Sequence, residues 1–174
     1  MRKTKKITLS AMLVALGTVF MVIGSVVEVL DLTVCALASL IVVFVYLEIG
    51  SYYPWLVWIC TSLATALLYS GSVVWVEYFF VFGIYPLIKA YIERLPRWSW
   101  LTVKLLYINA VIWLIFCVAE LILGIPFLTG EGRLMTVVLY LLMNVAFVAY
   151  DAFIGVMVRL YFAKFRNRIK TLLK

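Results

Sequence analysis

Long apolar runs separated by short polar breaks dominate the chain. Six hydrophobic segments can be read, roughly Ile7–Val27, Thr33–Leu47, Tyr53–Leu68, Val73–Ala90, Leu101–Leu123 and Leu134–Tyr161. Between them lie Glu28 and Asp31, Glu48 to Ser51, Ser70-Gly71-Ser72, Glu93 to Arg97, and Gly124 to Gly132. A helix that crosses a bilayer needs about 20 apolar residues, whereas a barrel strand needs about 10 with alternating polarity. Ile7–Val27 and Tyr53–Leu68 are unbroken and show no period of two, so the pattern predicts helices. The second segment has only 15 residues and must draw on its flanks or on a thinned bilayer. Pro54 opens the third helix, where its missing N–H costs nothing. Pro86 falls inside the fourth and is expected to kink it near its cytoplasmic end. No linker or internal repeat divides the chain, so residues 1–174 read as a single transmembrane domain.

Composition agrees with the pattern. Of the 174 residues, 67% are hydrophobic and 13% charged, against about 45–50% and about 25% in an ordinary soluble domain. A core of this size cannot hide that excess. A soluble globular enzyme, a disordered chain and a fibrous one are excluded. The net charge of +7 would suggest nucleic acid in a soluble protein, but here it reads as topology and implies no nucleic-acid partner. There is no histidine, which removes a histidine base and a Ser–His–Asp triad. Cys35, Cys60 and Cys117 lie inside apolar runs without metal or redox spacing, so neither a metal site nor a cofactor is expected.

With six spans, 14 of the 15 lysines and arginines fall on one side, and only Arg133 lies opposite. Basic residues stay cytoplasmic. Both termini are therefore expected inside, and an odd number of spans would spoil the partition. The start, Met1 to Lys6 and an apolar run of about 21 residues, exceeds the usual signal-peptide core and lacks a small-x-small cleavage site. It reads as a retained first helix.

Ionisable and amide groups within the spans are costly in lipid, roughly 2.5–3.5 kcal/mol for a charge on insertion scales, and each is a functional candidate. Asn109, Trp113, Phe116 and Glu120 recur on one face of span five. Tyr140, Asn144, Val148 or Phe147, Asp151 and Gly155 do so on span six. The two stripes are expected to face each other. Glu77 and Glu120 lie about a turn from the outer ends of their spans, near Trp75, Tyr78, Trp113 and Tyr140. Together with Asn144 these residues read as an outward pocket for a cationic or aromatic solute. Equally, they read as acids reaching water beside an aromatic belt. Asn109 and Asp151, deeper toward the cytoplasm, are expected to bridge the two helices. On span one, Ser10, Gly17 and Gly24 recur every seven residues, with Ala11, Ala15 and Thr18 beside them. Such small residues allow close helix approach, to a partner or within the chain.

The first helix reads Ala11-Met-Leu-Val-Ala15 just after the basic start Lys5-Lys6-Ile-Thr. With the six-span pattern, this resembles the substrate-binding (S) subunits of energy-coupling factor transporters. The resemblance implies an all-α integral membrane protein, a six-helix bundle with both termini cytoplasmic, in a bacterial cytoplasmic membrane. It implies that Ala11 and Ala15 dock on a coupling subunit, which works with ATPases to energise uptake. It also implies an outward pocket built largely from spans four to six, where Trp75, Glu77, Tyr78, Trp113, Glu120, Tyr140 and Asn144 are the candidates by depth and chemistry. The first extracellular loop, around Glu28–Leu32, is shorter than in members whose loop folds over a ligand. The expected function is binding of a small, vitamin-like and cationic solute, powered by partners because the chain has no Walker A phosphate loop. The alternative is a membrane protein acting through helix contacts, as an assembly or immunity factor does. Catalysis is not expected: no nucleophile–base pair is spaced for it and no metal ligand set appears.

Overall fold

The apolar runs fold as helices over nearly their whole lengths. The computed structural model describes residues 3–27, 30–72, 74–123 and 133–165, and no strand occurs among them. Its helices are α1 (Lys3–Val26), α2 (Asp31–Glu48), α3 (Tyr53–Leu68), α4 (Val74–Glu77), α5 (Tyr85–Ile92), α6 (Trp100–Leu123) and α7 (Arg133–Leu160). Five stretches are long and apolar enough to cross a membrane: Lys3–Val26, Asp31–Glu48, Val74–Ile92, Trp100–Val118 and Val137–Lys164. Tyr53–Leu68 is apolar but shorter. The short second segment gains its length from its flanks, as α2 runs for 18 residues. Pro54 sits in the first turn of α3, as its chemistry requires. The turn before it has Gly50 and Ser51 both left-handed, at φ 63° and 59°.

The fourth segment is irregular around its proline. Its regular hydrogen-bond ladder is broken ahead of Pro86, while Gly83 and Ile84 keep helical backbone angles. A single turn of α4 passes into a wide π-helical turn over Tyr78–Phe82, and α5 then starts afresh with Pro86 in its first turn. Proline has no N–H to give, and its ring clashes with the carbonyl four residues back, here that of Phe82. The carbonyls so released are met from three other helices. Trp58 Nε1 of α3 donates to Phe79 O at 3.1 Å, the Tyr107 hydroxyl of α6 to Phe80 O at 2.6 Å, and the Tyr150 hydroxyl of α7 to Phe82 O at 2.9 Å. In hydrocarbon an unmet carbonyl costs several kcal/mol, so a broken span persists only where neighbours supply donors. Gly83 makes the break possible. A Cβ there would lie 2.4 Å from Trp58 Cδ1.

The broken span joins two cores. One, with Met21, Cys35, Val42, Val57, Trp58 and Tyr78, belongs to the α1–α3 side. The other, with Tyr85, Ile108, Ile112, Phe147, Tyr150 and Ile154, belongs to α6 and α7. The small residues of α1 divide between two faces. Ser10, Gly17, Thr18 and Gly24 are buried, and a Cβ on Gly17 or Gly24 would come within 3.2 Å of Thr61 or 3.1 Å of Val34. That stripe packs α1 onto α3 and α2 within the chain. Ala11 and Ala15 lie on the exposed face, with Met12, Leu16 and Val19.

Contacts at the helix ends sort the charges. Lys6 Nζ donates to Ile49 O at 3.3 Å, and the Tyr161 hydroxyl donates to Glu48 Oε1 at 2.6 Å. The start of α1, the end of α2 and the end of α7 therefore share one end, called here the basic end. Asp31 and Glu77 lie toward the other, the acidic end.

Candidate functional site

Between α2, the broken span, α6 and α7 lies a cavity of about 660 Å³. Its deep wall is made by Val81 and Phe82 of the π turn, by Ile112 and Ile115 of α6, and by Phe147 and Tyr150 of α7. The helix break thus forms part of the cavity wall. Asp31, the first residue of α2, and Glu77, at the end of the single α4 turn, supply its only acidic groups among the described residues. Glu77 Oε2 is fully buried and meets no hydrogen-bond donor among them. The Tyr150 hydroxyl, spent on Phe82 O, is not free to serve a ligand. The arrangement is an apolar chamber with carboxylates at one end, suited to ion pairing with a buried cation.

Of the seven pocket candidates read from sequence, only Glu77 lines this chamber among the described residues. Trp75 is half-buried, and its Nε1 donates to Ser70 O at 3.3 Å. Tyr78 is 1% exposed and belongs to the α1–α3 core. Trp113 is 66% exposed on the outside of α6. Tyr140 donates its hydroxyl to Asn109 Oδ1, and Asn144 Nδ2 donates to the same oxygen at 3.3 Å. The Glu120 side chain lies outside the described residues. Asp31, read from sequence only as a polar break, joins Glu77 instead.

The facing stripes need a correction. The buried face of α6 is Ile108, Ile112, Ile115 and Phe116, and that of α7 is Phe147, Tyr150 and Ile154. At 100° per residue these lie roughly a quarter-turn from the polar stripes. Apolar residues fill the contact, and the amides pair at its edge. The expected Asn109–Asp151 bridge is not made either. In an antiparallel pair the register that sets Asn144 against Asn109 sets Asp151 near Lys104, a turn and a half closer to the basic end.

There Asp151 is the hub of a charged cluster. Lys104 Nζ lies 2.8 Å from its Oδ2, Lys89 Nζ lies 2.5 Å from its Oδ1, and the Tyr85 hydroxyl donates to Oδ1 at 2.6 Å. Lys89 also donates to the Asp151 carbonyl at 2.7 Å, and both lysines lie within 3.7 Å of Glu93. Each lysine is only 8% exposed. Gly155, one turn beyond Asp151, leaves room for the Lys89 ammonium, which a Cβ would meet at 3.7 Å. In the sequence these lysines, which flank the loop between spans four and five, count only toward the basic partition that sets topology, although both fall inside the apolar segments Val73–Ala90 and Leu101–Leu123. The cluster clamps α5, α6 and α7 together at the basic end.

Several helices long and apolar enough to cross a membrane mark a multi-pass helical membrane protein, with an acid-ended cavity beside the irregular fourth stretch. Comparison with protein-family models, curated proteins and solved structures finds no match.

Proposed function

We propose that this chain is a membrane-embedded binding subunit for a small cationic solute, acting in uptake with a coupling subunit and ATPases. The observation that carries the reading is the cavity, which is built on a broken helix. Transporter sites are often formed where a span is discontinuous and its backbone lines a chamber. A volume of about 660 Å³ falls within the range of about 300–1,000 Å³ common for ligand pockets. The charged cluster around Asp151 stands apart from the chamber lining, and α1 takes no part in that lining. That leaves the exposed Ala11–Ala15 ridge available for a second protein. On this reading the chain crosses the membrane six times, with Tyr53–Leu68 as the short third span and the basic end cytoplasmic.

Partner docking gives the test. Ala15→Trp places a bulky side chain on the ridge and is expected to abolish co-purification with coupling and ATPase subunits from the native host. Because Ala15 is exposed, the thermal midpoint of the subunit should stay within about 2 °C, the scale of a surface change of about 0.5 kcal/mol. Wild type from the same preparation should carry a small molecule visible by native mass spectrometry. Unchanged co-purification, or a host preparation without such partners, removes the transport reading and leaves an assembly or immunity role through helix contacts.

Sidedness has its own expected result. In a background without the three native cysteines, a cysteine at Thr129 should react with an impermeant thiol reagent on intact cells, and one at Thr171 should react only after lysis. Equal labelling on intact cells, or labelling at Thr171 only, would overturn the assigned topology.

A further inference from the structure

The cavity opens sideways. Its rim includes Leu32 and Leu37 of α2 and Leu142 and Ala146 of α7, all exposed, with Leu142 at 61%. On the membrane reading this rim faces hydrocarbon, because the exposed neighbours on α7 are apolar, such as Leu141 and Val145, and α2 adds only the Thr33 hydroxyl near its start. The carboxylates sit at one end of the chamber, at the first residue of α2 and one turn into the fourth span. That places them within about one turn of the helix ends, the depth where the headgroup of an inserted amphiphile lies.

We propose that the occupant is an amphiphilic monocation that enters laterally from the bilayer. Its ammonium group is held by Asp31 and Glu77, and its apolar body lies between α2 and α7. This rests on the binding-subunit reading and specifies its substrate class. Three observations favour a cation with an apolar body over other occupants. Among the described residues the chamber wall offers no charged donor, and apart from the committed Tyr150 its only side-chain hydroxyl is that of Thr33, so an anion would gain at most one neutral partner and would be repelled by two carboxylates. An uncharged acyl chain, or an apolar helix of another protein, would leave Glu77 Oε2 buried without a partner, at a cost of about 1–3 kcal/mol or more. A small hydrated cation would fill only one end of about 660 Å³ and leave the apolar wall bare. An alkyl ammonium meets both requirements, and its lateral path never requires the charge to cross the bilayer centre.

The experiment uses the full chain in phosphatidylcholine nanodiscs and a dodecylamine carrying a photoreactive diazirine on its tail. Adducts are expected on residues 32–37 and 139–149. Dodecylamine should compete at least tenfold better than dodecanol, and dodecyl sulfate should not compete. Glu77→Gln should weaken competition by about tenfold to a hundredfold, the worth of a charge-assisted hydrogen bond. Ala146→Trp, or Leu142→Trp should the first variant fail to fold, should block the mouth and abolish labelling with the thermal midpoint preserved. Equal competition by dodecyl sulfate, indifference to Glu77→Gln, or labelling that survives both mouth variants overturns the proposal. If methylammonium alone competes and still does so in the mouth variants, the site takes a soluble cation from the acidic end. Lateral entry then falls while the binding-subunit reading stands. If no probe labels wild type, the substrate class falls, and co-purification with partner subunits decides whether the wider reading falls with it.

Discussion

Asp151→Asn is expected to destabilise the protein by about 3–5 kcal/mol, the cost of leaving buried charges uncompensated when one partner of an ion pair is removed. Asparagine keeps the shape and deletes the charge that holds Lys89 at 2.5 Å and Lys104 at 2.8 Å. Glu93, 3.6–3.7 Å from both lysines and 40% exposed, is too distant and too wet to replace it. For a chain of this size the loss corresponds to a fall of roughly 6–20 °C in thermal midpoint, measured in one detergent against wild type. Desolvation, not attraction, dominates that cost. A triple variant, Asp151→Leu with Lys89→Met and Lys104→Met, should therefore recover most of it. A midpoint for Asp151→Asn within about 2 °C of wild type would show that water reaches the lysines and that the clamp contributes little.

Gly83→Ala is expected to be nearly as damaging, although it adds one methyl group. The new Cβ would lie 2.4 Å from Trp58 Cδ1 and 3.0 Å from both Trp58 Nε1 and Tyr78 Cε1. Trp58 is pinned by its hydrogen bond to Phe79 O and by the Phe79 ring, whose centroid is 4.8 Å away. If the indole moves, it leaves a carbonyl of the π turn without a donor. Overpacking costs about 1–3 kcal/mol and an orphaned buried acceptor about 1–3 kcal/mol more. Trp58→Phe removes the donor but makes room, so its loss alone should be about 1–3 kcal/mol. Combined with Gly83→Ala it should cost less than the sum of the two single changes. Additive losses in that cycle would mean that Gly83 and Trp58 are not in contact.

How far the sequence reaches is clear from particular residues. Apolar length placed α3 at Tyr53–Leu68 and α6 within one residue of its start, because helix ends in lipid follow the first polar breaks. The break in the fourth span was legible only as a proline. Its position depends on Gly83 meeting Trp58 and on hydroxyls from Tyr107 and Tyr150, which no local pattern reveals. Polarity marked Asn109, Asn144 and Asp151 but not their partners. A stripe of polar residues was read as the packing face, whereas isoleucine and phenylalanine fill that face and leave the amides at its margin. The lysines hid behind their usual meaning as topology signals, although antiparallel register would have set Lys104 beside Asp151. Glu77 was found by depth and charge. Asp31 was not, since a carboxylate at a helix start ordinarily needs no function beyond favourable placement at the helix N-terminus.

The three aromatic donors that cap the π turn are not made at the same time. Trp58 precedes Phe79 by 21 residues, but Tyr107 follows Phe80 by 27 and Tyr150 follows Phe82 by 68. At about 5–20 residues per second of synthesis, the last carbonyl waits several seconds for its donor. Throughout that interval the fourth span is a poor tenant of the lipid, with polar backbone that only water or an insertion chaperone can satisfy. Biogenesis of this protein is therefore committed late. The C-terminal helix does not merely add to a finished bundle, since its arrival is what lets the middle of the chain settle in the membrane.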